Sequence, residues 1–137
     1  MLRRSLALLV ALSLVAGLTA ADKPKPIKPS KSFTGRIDKD QQKEGPANGV
    51  IANAKDLEKL WKAWKIKDEM PKVDFDKELV LIATGQCGKV TLAPSLDDKG
   101  DVNTLTRATR DLREDFAYNI VVISREGVKT INGKEIK

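Results

Sequence analysis

Apolar and polar positions change rhythm several times along this chain, and each change marks an element. The first run, Leu6 to Leu18, is almost wholly apolar, follows Arg3 and Arg4, and gives way to the small residues Thr19-Ala20-Ala21. A positive start, a short apolar centre and small side chains at a cut site describe a secretory signal peptide over residues 1–21, with cleavage after Ala21. The run falls short of the roughly 20 apolar residues that a membrane-crossing helix needs. No second apolar run follows, so no membrane span is expected once the leader is removed.

Residues 22–31 alternate lysine and proline around a lone Ile27 and offer almost nothing to bury, which predicts a flexible, extended arm. A single α+β domain is then expected over 32–137. Ser32 to Ile37 alternates weakly and reads as a first strand, followed by a polar loop to Asn48. From Asn53 the period becomes helical, with Leu57, Leu60, Trp61 and Trp64 on one face and Asp56 three residues after the cap. An amphipathic helix ending near Ile66 is the consequence. Its other face carries Lys55, Glu58, Lys59, Lys62 and Lys65, and the two tryptophans suit an anchor on a sheet.

After Pro71, the segment Val73 to Asp76 leads into Glu78 to Thr84, whose continuous branched apolar run predicts a central strand. Lys89 to Ala93 and Val102 to Thr109 alternate as further strands, joined by a turn at Asp97 to Gly100. A charged loop, residues 110–115, precedes the buried run Phe116 to Ile123. Arg125 to Gly127 turns the chain into Val128 to Ile131, and Asn132-Gly133 marks a hairpin. Short strands after one helix predict an α+β fold, a mainly antiparallel sheet of about five to seven strands packed against one amphipathic helix.

Charge adds little beyond this. Without Arg3 and Arg4 the chain keeps 23 basic against 19 acidic side chains, a net charge of +4. Residues 22–46 hold seven basic and four acidic ones, so most of the excess lies near the arm. Nucleic acid is not an expected partner, since its recognition wants a concentrated basic face with aromatic or helical readers.

Residue supply narrows the chemistry further. Histidine is absent and Cys87 is the only cysteine, which excludes internal disulfides, paired-cysteine redox chemistry, histidine-assisted nucleophiles and the common zinc sites. Cys87, within Gly85-Gln86-Cys87-Gly88, reads as a small buried hydrophobe. Carboxylates are what remains. Asp74 and Asp76 flank Phe75 and would point the same way in an extended segment, whereas Asp97, Asp98 and Asp101 read as turn residues. No catalytic, cofactor-binding or metal-ligating residue is assigned, and no cofactor is expected.

The stretch from Trp61 through Val73-Asp-Phe-Asp-Lys-Glu-Leu-Val-Leu-Ile82, continued by Tyr118 to Ile123 and Val128 to Gly133, resembles exported domains related to the C-terminal domain of the PrcB protease-complex subunit. Asp74-Phe75 matches the opening of that family's strand. The family's threonine-glycine-glycine-tyrosine turn is replaced here by Gly85-Gln86-Cys87-Gly88-Lys89. The resemblance implies a small sheet domain that supports protein association without catalysis. The functional expectation is therefore an exported, periplasmic or secreted, non-catalytic domain that binds or stabilises another exported protein through a sheet edge or loop surface. Two alternatives stand beside it: a module for acidic cell-envelope polysaccharide using Lys55, Lys59 and Lys62 together with the lysines of the arm, and an enzyme built on Asp74 and Asp76. An exposed apolar patch rimmed by polar groups favours the protein partner, and a lysine-lined groove favours the polyanion.

Overall fold

The computed structural model describes residues 23–136. The leader expected over residues 1–21 lies outside the described residues. In chain order the strands are β1 (Lys25–Pro26), β2 (Lys31–Ile37), β3 (Val50–Ile51), β4 (Glu78–Gly85), β5 (Val90–Leu96), β6 (Asp101–Ala108), β7 (Phe116–Ser124), β8 (Thr130–Ile131) and β9 (Lys134–Glu135). The helices are α1 (Lys39–Lys43) and α2 (Ala54–Ala63).

The apolar runs of β4 and β7 pair antiparallel at the heart of a four-stranded sheet of order β2-β7-β4-β3. Both faces of this sheet are covered, which is why both strands read as continuous hydrophobic segments despite being antiparallel. Odd positions, including Leu79, Leu81, Val121 and Ile123, meet Val90, Leu92 and Val102 of a second, five-stranded sheet of order β1-β5-β6-β8-β9. Even positions, including Val80, Ile120 and Val122, lie beneath Leu57, Leu60, Trp61 and Trp64. The layers are thus sheet, sheet and helix.

The α+β, mainly antiparallel expectation holds at this level, but its detail does not. Two stacked sheets replace the single one expected, because β5 and β6 turn their apolar residues onto a face of β4 and β7 that the helix cannot also cover. Nine strands are present among the described residues, four of them only two residues long. Two helices are present rather than one. The extra helix α1 starts where the Asp38 carboxylate accepts from the Gln41 N–H and the Gln41 side chain accepts from the Asp38 N–H, a capping box in a segment expected to be loop.

Helix α2 begins as the sequence implies, with Asn53 Oδ1 accepting from the Asp56 N–H at 2.8 Å. It ends three residues early. Lys65 adopts φ 49°, and the N–H groups of Lys65 and Ile66 donate to the carbonyls of Lys62 and Trp61. That is a Schellman stop built on lysine instead of the usual glycine.

The arm also departs from expectation. Lys25 and Pro26 pair with Leu96 and Ser95, the Ile27 N–H donates to the Pro94 carbonyl at 2.9 Å, and Ser30 donates to Val122. Residues 23–31 therefore run from one sheet to the other, with Ile27 packed against the inter-sheet core. Pro94 is tolerated because its backbone polar groups face the arm and not β6, so the longer β5–β6 ladder loses no N–H.

Candidate functional site

Between the end of α2 and β4 the chain makes an irregular passage, residues 64–77, whose course is fixed by a few polar ties. The Trp61 indole N–H donates to the Asp68 carbonyl at 2.8 Å. The Asp74 carbonyl accepts from the N–H groups of Lys77 and Glu78 at 2.9 and 2.7 Å, and the Arg125 guanidinium donates to the Phe75 carbonyl at 2.9 Å. These ties leave Met70 exposed and Val73 and Phe75 half-buried, over the buried Leu57 and Pro71. Leu57, Met70, Pro71, Val73 and Phe75 line an open groove of about 540 Å³, with Lys72, Asp74 and Glu78 at its rim. Met70 is 39% exposed there.

The Asp74 and Asp76 pair lies at this rim but does not converge on a ligand. Residues 75–77 form a turn, so the two-residue alternation of an extended segment does not apply. The Asp74 carboxylate instead folds back to accept from the Asp76 N–H at 3.1 Å. It stabilises its own turn. Asp97 does likewise, accepting from the N–H groups of Lys99 and Asp101 at 2.9 Å each. Asp101 accepts from the Thr130 hydroxyl and the Gly133 N–H, tying the β8–β9 hairpin to β6. Among the described residues no cluster of three or more histidine, cysteine or acidic side chains could hold a metal ion.

The lysine face of α2 is not a continuous basic surface. Lys62 pairs with Glu58 at 2.9 Å, which draws the glutamate below the usual carboxylate range, and Lys59 shares a surface hollow with Asp56 and Glu44. The tryptophans serve the core: Trp61 meets Phe33 edge to face at 5.1 Å, and the Trp64 indole donates to the Gln41 carbonyl at 2.6 Å.

Cys87 is buried in the inter-sheet core, its sulfur near the Lys89 carbonyl. A charged latch closes over the turn that carries it. Arg36 spans from the Asp115 carboxylate to the Gly88 carbonyl, and these bonds hold Asp115 below and Arg36 above their ordinary values. Asp111 accepts from the Thr109 hydroxyl, the Gly88 N–H and the Arg113 guanidinium, which in that order push its carboxyl far below the usual range.

A second, more polar concavity of about 120 Å³ opens between the sheets where β3 and β8 each cover only two residues of their neighbours, with Thr84, Thr104, Thr106 and Asn132 on its walls. Sequence reasoning missed both concavities. The apolar cluster Met70, Pro71, Val73 and Phe75 in a segment with neither helical nor strand period was the available signal for the larger one. The chain matches no family model, and no curated protein or solved structure matches it.

Proposed function

We propose that this protein is an exported, non-catalytic domain that holds another protein through the groove at Met70 to Glu78. The groove carries the reading: it is an apolar hollow on the surface, sized for one or two large side chains and rimmed by charges of both signs. Its position supports the same view. Asp74-Phe75, which opens the strand in the family that the sequence resembles, forms part of its wall. The polyanion alternative lacks such support, because Glu58, Asp56 and Glu44 interrupt the lysines of α2.

Photo-crosslinking tests the proposal. A benzophenone side chain at Met70 should give one dominant adduct in an extract of exported proteins. Excess unlabelled protein should compete it away, and excess Met70→Glu protein should not. The same probe at Thr91, on the outer face of β5, supplies the comparison. Equal adducts from both positions, or competition by the Met70→Glu protein, would refute the assignment.

A further inference from the structure

The loop between β6 and β7 holds the most exposed large apolar residue described, Leu112, 85% exposed. Its display follows from the ties around it. Asp111 turns inward onto Gly88, Thr109 and Arg113, and the Arg113 N–H donates to the Gln86 carbonyl at 3.2 Å. Asp111 is thus tied back to the turn at Gly88 while still partly exposed, and its neighbours Arg110 and Leu112 make no such tie and stand in solvent. These ties restrain the loop, which lowers the conformational entropy its docking would cost.

Charge surrounds this tip. Lys89, joined to Thr109 by three backbone-involving bonds, lies at its base, and Arg107 precedes it on β6. None of Lys89, Arg107 or Arg110 is in an ion pair among the described residues, whereas Asp111 and Asp115 are each matched by an arginine. Glu114 is the loop carboxylate left unmatched among them.

We infer that this loop is a membrane-contact element, seating Leu112 among the outer acyl segments of an anionic lipid bilayer while Arg107, Arg110 and Lys89 meet headgroup phosphates. Two features favour lipid over other anionic or apolar partners. An acidic polysaccharide offers charge but no apolar interior for a leucine. A protein partner needs a broad complementary footprint, and a solitary exposed leucine flanked by charges of both signs, with three unpaired cations against one unpaired carboxylate among the described residues, does not supply one. A bilayer accepts a single apolar side chain and diffuse positive charge together. The contact is reversible, since one side chain is far less than a lipid anchor.

The test uses the chain begun at Asp22, which retains every strand and helix described and both core clusters. Binding to vesicles of phosphatidylglycerol and phosphatidylcholine is measured by sedimentation, against vesicles of phosphatidylcholine alone. Anionic vesicles should bind the protein preferentially, Leu112→Ser should lower partitioning about tenfold, and Arg107→Glu with Arg110→Glu should lower it about tenfold or more. In the Leu112→Trp protein, acyl-brominated lipid should quench the introduced fluorophore while Trp61 and Trp64 stay shielded in the core. That readout separates the loop from adsorption through the lysines of the arm. Binding without quenching, wild-type partitioning by Leu112→Ser, or no binding at all would overturn the inference. A specific protein adduct from a benzophenone at position 112, with no vesicle binding, would assign the tip to a protein instead. Thermal midpoints of the variants, expected to equal the wild type, exclude misfolding as the cause.

Discussion

Replacing Asn119 with leucine should cost the fold about 1–3 kcal/mol, and the reason lies in one backbone group. Asn119 is 3% exposed, in the middle of the apolar run of β7, and faces the second sheet. Its Oδ1 accepts from the Leu92 N–H at 2.9 Å, and its Nδ2 donates to the Ser32 hydroxyl at 3.0 Å and the Phe33 carbonyl at 3.1 Å. Leu92 points that N–H away from β6, on the stretch of β5 that the arm leaves uncovered. Leucine would fill the space but leave the buried N–H without a partner, which carries a penalty of about 1–3 kcal/mol. Ser32 is exposed and Phe33 only half buried, so water can replace most of what they lose.

For a domain of this size the penalty corresponds to a fall of about 4–12 °C in thermal midpoint. Asn119→Asp separates the donor side of the interaction from the acceptor side. The aspartate keeps an acceptor for Leu92 but places a carboxylate in the core, where desolvation raises its pKa. A carboxyl whose folded pKa lies above its unfolded one destabilises the fold above that range and ceases to do so as pH falls through it. The gap between this variant and the wild type should therefore narrow from pH 7 to pH 4. Thermal and urea unfolding give the magnitudes, and hydrogen exchange at the Leu92 amide gives the location. An Asn119→Leu protein within about 0.5 kcal/mol of wild type, with Leu92 still protected, would refute the reasoning.

Three further outcomes follow from the packing. Gly35→Ala would place a Cβ 2.5 Å from the Tyr118 hydroxyl oxygen and should cost about 1–3 kcal/mol by urea midpoint, because the ring must shift against Trp64. The Cys87 thiol should react with a soluble disulfide reagent about a thousandfold more slowly in the native protein than in denaturant, and rapid native reaction would contradict its burial in the core. The Gly88 amide shift should follow titration of Asp111, whose folded carboxyl is drawn below its ordinary value of 3.8; the tie then persists at neutral pH and is lost only as pH falls through that lowered pKa, and a midpoint at or above 3.8 would count against it.

What the sequence discloses depends on whether the cause is local. The start of α2 is legible because cap and first turn sit within four residues, Asn53 to Asp56. The Asn132-Gly133 hairpin is legible because both residues carry the positive φ that such a turn requires, 50° and 79°. Glu78 to Thr84 shows that both its faces are covered, but not by what: a second sheet and a helix demand the same apolar run. The arm was misread for a related reason. Its docking depends on Ile27 alone reaching the inter-sheet core and on a stretch of β5 that has no other partner. The stop at Lys65 carries no glycine to announce it, and the groove exists only when α2 lies over residues 70–78. Asn119 stands out as polar within an apolar run, yet its partner Leu92 is 27 residues away.

The two proposed surfaces lie at opposite ends of one rigid element. Glu78, at the groove rim, opens β4, and Gly85 closes it beside the turn of Cys87 and Gly88 to which Asp111 is tied. Eight strand residues separate these ends by about 25 Å, and β4 is paired to β7 along all of them. A loop seated on a bilayer would thus turn the groove away from the lipid and toward solvent, where a protein partner can reach it. The same geometry places Asn119 opposite Ala83, toward the loop end, where it joins the stacked sheets. Loosening that staple would disturb the footing of the loop before that of the groove, because the groove is held by Arg125, Asp74 and Trp61, none of which touches the inter-sheet polar contact.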